Sequence, residues 1–347
     1  MNTHPADSPT QEITSPTARY DRIGLLIVNL GTPDGTSYWA IRRYLKEFLS
    51  DRRVVETSRL IWWPILNLVI LAFRPFKSGK LYATVWNRER NESPLRTITR
   101  AQAERLGAAF RSEPDVRVEW AMRYGMPSIA SRMKALAEDG CDRILLFPLY
   151  PQYSATTTAS VCDAAFRTLA TQRRQPAIRV VPAYFDSPVY IAALAQSIRA
   201  QIAALPFEPE VVLASFHGLP KDYVRRGDPY ETQCLATVAR LREALGWDEN
   251  RLRMTFQSRF GPTEWLTPYT AETAEALAKA GTRSLAVVAP GFVADCVETL
   301  EEIALGCRDT FLAAGGQNFA ALSCLNDTAE GIIVLETVAR QQLAGWL

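Results

Sequence analysis

Two groups of side chains in this sequence could do chemistry. The first is His217, in the stretch VVLASFHGLPKDYVRRGDPY; the only other histidine, His4, lies in a Ser/Thr/Pro-rich leader. His217 ends a strand-like apolar run and precedes Gly218, Leu219 and Pro220. Gly and Pro there make a tight turn, so the ring is expected on top of a sheet. An imidazole at that place accepts protons, ligates a metal, or satisfies local backbone groups. The second group is FVADCVETLEE, where a helix should begin around Cys296 with Asp295 as its N-cap. Glu298 and Glu302 are four apart and share one helical face. Glu301 belongs with the ordinary acidic residues of a first turn, which suit the helix dipole. One imidazole and several carboxylates hold a divalent ion weakly, and two more strong ligands for a permanent cage are not evident. The pattern predicts a metal passing through, beside groups that also take up protons.

Aromatic residues gather near the same places. Tyr124, Tyr150, Tyr153, Phe260, Trp265 and Phe292 all fall at or just after strand-like runs. Together they predict a cleft for a large, flat, apolar ligand. Arg88, Arg90 and Arg123 are placed to pair with acidic groups on such a ligand.

These side chains need a scaffold, and short apolar runs alternate with amphipathic stretches along the chain. Strands are expected at Gly24–Leu30, Val116–Met122, Arg143–Pro148, Ile178–Ala183, Val211–Phe216, Arg253–Gln257, Ser284–Ala289 and Phe319–Cys324. Helical patterns between them include Thr97–Ala109, Pro127–Glu138, Thr157–Thr171 and Tyr230–Leu245. Such alternation implies parallel sheets with helices on both faces. The order repeats: GLLIVNLG, VEWAMRYG, ILLFPLYP and RVVPAY are followed by VVLASFHG, RMTFQSRFG, LAVVAPGF and AALSCL. The prediction is α/β, two similar Rossmann-like, doubly wound domains over 20–187 and 188–347, after a disordered leader at 1–19. A last helix, Thr328–Leu343, should pack back on the first domain. Ligands of open α/β sheets sit outside the carboxyl ends of the strands, so a cleft between the domains would gather His217 and the acidic helix start face to face.

Composition excludes several classes. The 39 Lys+Arg balance 37 Asp+Glu, without the basic excess of a nucleic-acid binder. NLGTPDG is not a dinucleotide fingerprint and nothing matches a P-loop, so no nucleotide is expected. The six cysteines form no CxxC pair, no secretory signal is visible, and reduced thiols in the cytosol follow. One segment is unusually greasy: LIWWPILNLVILAF at 60–73, continued by RPFK to residue 77. The run is shorter than the roughly 20 apolar residues of a spanning helix. It reads either as a buried helix or as an exposed apolar lip suited to a membrane surface or a greasy ligand.

At SFHGLP, FQSRFGPTEWLTPYT and FVADCVETLEEI the sequence resembles ferrochelatase, and LIVNLGTPDG, YLKEFLSDRRVVETSRLIWWP, ESPLRTIT, LLFPLYPQYSATTTAS and RGDPY extend the likeness from about residue 22 to the C-terminus. The resemblance, to the proteobacterial type, implies the class II chelatase fold and a lyase that inserts Fe2+ into protoporphyrin IX, the terminal step of haem biosynthesis. It implies His217 and Glu298 as the catalytic and iron-site pair, and Asp295 and Glu302 as an acidic path into the cleft. It implies porphyrin contacts at Leu30, Arg88, Arg123, Tyr124, Tyr153, Ser258, Trp265 and Phe292. Some members carry a histidine where Cys296 stands, so no second histidine can serve iron delivery here. Some bind a [2Fe–2S] cluster through a cysteine in the PQYS region and a C-terminal extension; this chain has Ala155 there and ends at QQLAGWL, so no cluster is expected. No permanent cofactor is implied. The partners implied are protoporphyrin IX, Fe2+ and a peripheral contact of the 60–77 lip with the inner membrane face, from the cytoplasm.

Overall fold

The computed structural model describes residues 21–347; the leader at 1–19, with His4, lies outside the described residues. Two four-stranded parallel sheets form the frame. The first holds β1 (Arg22–Gly31), β2 (Val116–Tyr124), β3 (Cys141–Pro148) and β4 (Ala177–Val180) in the order β2-β1-β3-β4. The second holds β5 (Val211–His217), β6 (Leu252–Gln257), β7 (Ser284–Val288) and β8 (Asn318–Ala321) in the order β6-β5-β7-β8. The two orders are the same, so β1 corresponds to β5 and β3 to β7.

The central strands are apolar almost throughout because helices cover both faces. Leu25, Leu26, Ile27 and Val28 of β1 are fully buried, as are Val212, Leu213 and Ala214 of β5. The edge strands β4 and β8 are shorter than the sequence predicts. Each has one neighbour, and one further ladder bond (Val181 N–H to Leu146 O, 2.9 Å; Leu322 N–H to Val287 O, 2.8 Å) is made before the chain leaves the sheet.

Local chemistry sets the helix ends. Ser93 caps Pro94–Ala109 by accepting from Arg96 N–H at 3.2 Å, with proline at the first helical position. Thr328 caps Ala329–Leu343 in the same way through Gly331 N–H. That last helix reaches back to the first sheet's surroundings: Arg340 pairs with Glu113 at 2.8 Å, and Arg179 donates to Gln342 O.

The greasy segment departs from expectation in length. It is part of an unbroken helical stretch, Arg59–Val85, of 27 residues, long and apolar enough by length and composition to cross a membrane. Its middle, Ile65–Ile70, is wound as a π-helix. Pro75 has no N–H to give Leu71, and the Tyr38 hydroxyl donates to that carbonyl at 3.0 Å instead. One stripe, with Trp62, Leu66, Leu71 and Tyr82, is buried against Tyr38–Leu49. The opposite face is open: Leu60 is 89% exposed, Leu68 73% and Phe73 72%. Both sequence readings therefore describe one face each.

Candidate functional site

His217 is the last residue of β5, where the run of buried positions ends. Its Nδ1 lies 2.7 Å from the Gly218 carbonyl. A carbonyl only accepts, so Nδ1 carries a hydrogen, and in the neutral ring Nε2 is the nitrogen with the lone pair. The turn must be glycine, because a Cβ at Gly218 would lie 2.7 Å from Gln257 O and 3.0 Å from the Trp265 ring. Trp265 thus closes over the turn that carries His217.

Glu298 begins the π-helix Glu298–Cys307, after the loop that leaves β7. Since β7 is paired with β5, the helix that carries the carboxylate follows the strand next to the one that ends in the imidazole. Both come from the second lobe. Gln257 joins them. It is in register with His217, accepts from Ser215 Oγ at 2.7 Å, and donates to Glu298 O at 3.1 Å. Periodicity could not show this link, which depends on β6 lying beside β5.

A cleft partly open to solvent receives both side chains. His217, Cys296, Glu298 and Phe292 line it from the second lobe; Leu30, Thr32, Tyr82 and Tyr150 line it from the first. Burial, then the nearby Glu298 charge, pushes the Cys296 thiol up, so it stays protonated. Burial likewise pushes the Tyr82 phenol up, with Glu298 adding to it. Thr32 lies in the LIVNLGTPDG motif without having been singled out, and Tyr82 carried no sequence signal.

Other candidates lie elsewhere. Asp295 is buried, but it does not cap the helix. Its carboxylate accepts from Thr299 Oγ1 at 2.9 Å, Asn326 Nδ2 at 2.6 Å and Cys324 N–H at 3.3 Å, and it is absent from the cleft wall. Glu302 opens onto a separate hollow of the second lobe, gripped by the Ser258 N–H at 2.6 Å and the Ser258 hydroxyl. Ser258 holds a left-handed backbone, φ 66°, to make that grip. Arg123 is already spent on Asp51 and on Ser160 O at 2.9 Å, as a buried guanidinium must be. Tyr124 is fully buried and donates to Asp51 at 2.8 Å. Tyr153 sits outside the lining, its N–H bound to Gln233 at 2.7 Å. Arg88 is exposed in a turn whose ends, Val85 and Ser93, reach the cleft.

The remaining motifs clasp the lobes together. Asp228 of RGDPY accepts from Ser154 Oγ at 2.9 Å and Ala155 N–H at 2.8 Å, both in PQYSA. Arg226 pairs with Glu56, and Arg74 of the greasy helix lies 4.2 Å from the centre of the Phe260 ring. Among the described residues no three His, Cys, Asp or Glu side chains converge as a metal cage.

A sequence model of the ferrochelatase family matches residues 22–343. The chain belongs to the ferrochelatase family. Ferrochelatase of Chelativorans sp. (strain BNC1) is 62% identical over 325 residues, 94% of this chain and 92% of that one. Ferrochelatase of Rhizobium meliloti (strain 1021) is 58% identical over 332 residues, covering 96% and 98%. Among solved structures, SirB from Bacillus subtilis with Fe3+ superposes with a TM-score of 0.54 at 14% identity, covering 93% of this chain and 96% of that one. The sirohydrochlorin chelatase SirB from the subspecies spizizenii, in complex with cobalt, gives 0.52 at 9% identity. At such identities these two share a fold, that of the class II chelatases, with this ferrochelatase-family chain.

Proposed function

We propose that the cleft binds free-base protoporphyrin IX and that His217 and Glu298 take up its two inner protons as Fe2+ enters the ring, giving protohaem. The activity is that of a lyase of haem biosynthesis, and iron is a substrate. The observation that carries the reading is that an imidazole at the end of β5 and a carboxylate at the start of the helix after β7 line one cleft. Both groups accept protons, and both are ligands that an incoming ferrous ion can meet. The largely apolar remainder of the cleft suits a macrocycle with an apolar edge, and contacts there can supply the energy that bends the ring. Leu30 and Phe292 are the ring contacts that the lining supports among those expected; Trp265 acts through the His217 turn. The division at 187/188 belongs to the same reading: the first sheet ends before it and Pro188–Ala203 follows.

The exposed face of Arg59–Val85 is read as lying on the cytoplasmic side of a membrane, not across it, because the helix's other stripe is packed along its own lobe. Tyr82 and Val85 near its end line the cleft, which gives a lipid-borne porphyrin a short way in. Charged substitutions at Leu68 and Phe73 should abolish sedimentation with phospholipid vesicles while zinc insertion into a soluble porphyrin persists. Sedimentation equal to wild type would exclude this docking.

For the chemistry, the purified protein is incubated with free-base porphyrin and Zn2+ or Fe2+. An enzyme converts many equivalents, whereas a carrier of the same fold stops at one.

A further inference from the structure

The open face of Arg59–Val85 has a second helix beside it. Trp39, Arg42, Arg43 and Lys46 follow the spacing i, i+3, i+4, i+7 along Tyr38–Leu49, so they share one helical face. Phe73, Phe76, Lys77 and Lys80 repeat that spacing along Arg59–Val85. On both helices the aromatic residues come first and the cations follow. The two faces adjoin: the Phe76 ring lies 4.6 Å from the Tyr38 ring, Tyr38 meets Trp39 edge-on at 5.0 Å, and Arg42 stands 5.8 Å from the Trp39 ring. Trp39 is 64% exposed and Phe76 62%. Arg43, Lys46, Lys77 and Lys80 are exposed as well, and Arg42 is half-buried.

The charge of this surface is one-sided. Arg59–Val85 contains no Asp or Glu. The acids in residues 38–58 are engaged elsewhere: Glu47 accepts from Gly125 N–H at 3.0 Å, Asp51 pairs with Arg123, and Glu56 pairs with Arg226. Glu301 of the second lobe feels the Lys77 charge without forming an ion pair with it. Among the described residues, Arg42, Arg43, Lys46, Lys77 and Lys80 have no acidic partner at ion-pair distance. The whole chain is nearly neutral, with 39 Lys+Arg against 37 Asp+Glu, so the excess is local. Exposed aliphatic and aromatic side chains flanked by unpaired cations on one helical face are the pattern of an interfacial helix, which favours lipid over an acidic protein as the partner.

We propose that this two-helix face selects a bilayer rich in anionic phospholipids: its apolar side chains enter the acyl boundary, and Arg42, Arg43, Lys46, Lys77 and Lys80 pair with the phosphate headgroups. The proposal rests on the reading of the greasy helix as a membrane face and names the lipid that face takes. It also sets the height of the cleft. Lys77 and Lys80 stand between the apolar run and Tyr82 and Val85, which line the cleft. Cations held at the headgroups therefore keep the cleft mouth at headgroup level, where a porphyrin's acidic groups also lie.

The test sediments the full chain with two kinds of vesicle, phosphatidylcholine alone and phosphatidylcholine mixed with phosphatidylglycerol. The wild type should bind the mixed vesicles about 100-fold more strongly at low ionic strength, since each basic side chain near an anionic surface contributes about fivefold. Salt at about 1 M, where the screening length is about 3 Å, should bring the two affinities within about threefold. The double variant Arg43→Gln/Lys80→Gln takes one cation from each helix. It should bind the mixed vesicles about twentyfold more weakly and phosphatidylcholine as the wild type does. Arg240→Gln/Lys279→Gln, exposed on helices of the second lobe, removes the same net charge and should leave both affinities within about twofold. Thermal melts of both double variants should match the wild type, as surface changes do. Equal wild-type binding to the two vesicles would overturn the selectivity and leave the docking itself standing. An equal loss in the two double variants would overturn it too, because net charge and not this face would then be responsible. Binding to neither vesicle would overturn the docking and the selectivity together and assign the face to a protein partner.

Discussion

The two lobes share a strand order but differ in what stands at the carboxyl ends of their paired central strands. The second lobe ends β5 in an imidazole and follows β7 with a carboxylate. The first lobe has Leu30 where the second has His217, lines the cleft with uncharged side chains, and hides its charges one layer back in the Arg123–Asp51 pair. A duplicated frame thus carries an imidazole and a carboxylate on one wall of the cleft and uncharged side chains on the other. On the proposed reading, the difference teaches that one wall suffices for proton chemistry while a flat ligand needs two.

Breaking the reactive wall should cost most. His217→Ala should lower kcat/KM for metal insertion about 1,000-fold, in the range that general acid–base groups supply. A loss under about tenfold would show that the second lobe is not the reactive one. Glu298→Gln should lower it about 100-fold in the same assay, since the carboxamide keeps shape and loses the acceptor charge.

The hidden pair of the first lobe predicts a stability effect instead. Burial pushes the Asp51 carboxyl up, but hydrogen bonds from Ser160 and the Arg53 N–H, with the Arg123 charge, outweigh it and hold it below the usual carboxylate range. A carboxylate depressed in the folded state contributes stability above its unfolded value, and that contribution is lost as pH falls through the folded one. Asp51→Asn, which leaves Arg123 buried without a counter-charge, should cost about 3 kcal/mol at neutral pH. It should also flatten the loss of stability between about pH 5 and pH 2. Denaturant melts across that range check both, and parallel curves for variant and wild type would refute the pairing.

Smaller effects sharpen the contrast. Gln257→Leu cuts the link from the His217 strand to Glu298 O. A misplaced pair predicts kcat down about tenfold with KM nearly unchanged. Glu301→Gln should stay within about twofold of wild type, as surface changes away from the site do. A larger drop would mean that the acidic helix acts as one unit.

Much of the frame was legible because burial on both faces of a parallel sheet forces continuous apolar runs, and GLLIVNLG and VVLASFHG are such runs. The last helix starts at Ala329, just after Thr328, as expected, whereas the helix expected from Thr97 begins at Pro94 behind the Ser93 cap. His217 and Glu298 were singled out by rarity and spacing, and the fold brings both to one cleft. Asp295, Glu302 and Arg123 show the limit of that reasoning. Their residue types suit metal or carboxylate chemistry, yet Asn326, Ser258 and Asp51 had already engaged them. Such partners lie far away along the chain, so spacing says nothing of them. The greasy helix failed in a different way: the composition count stopped at the first charged residues, while the helix ran on because Arg74 and Lys77 do not break backbone hydrogen bonding.

What the chain determined by itself was periodicity, turns and the inventory of reactive groups, because those depend on neighbours within a few residues. Only the tertiary structure decided that imidazole and carboxylate line one cleft and that Gln257 binds their supports together. These are contacts across dozens of positions, and they exist only once parallel pairing has chosen which strand ends become neighbours.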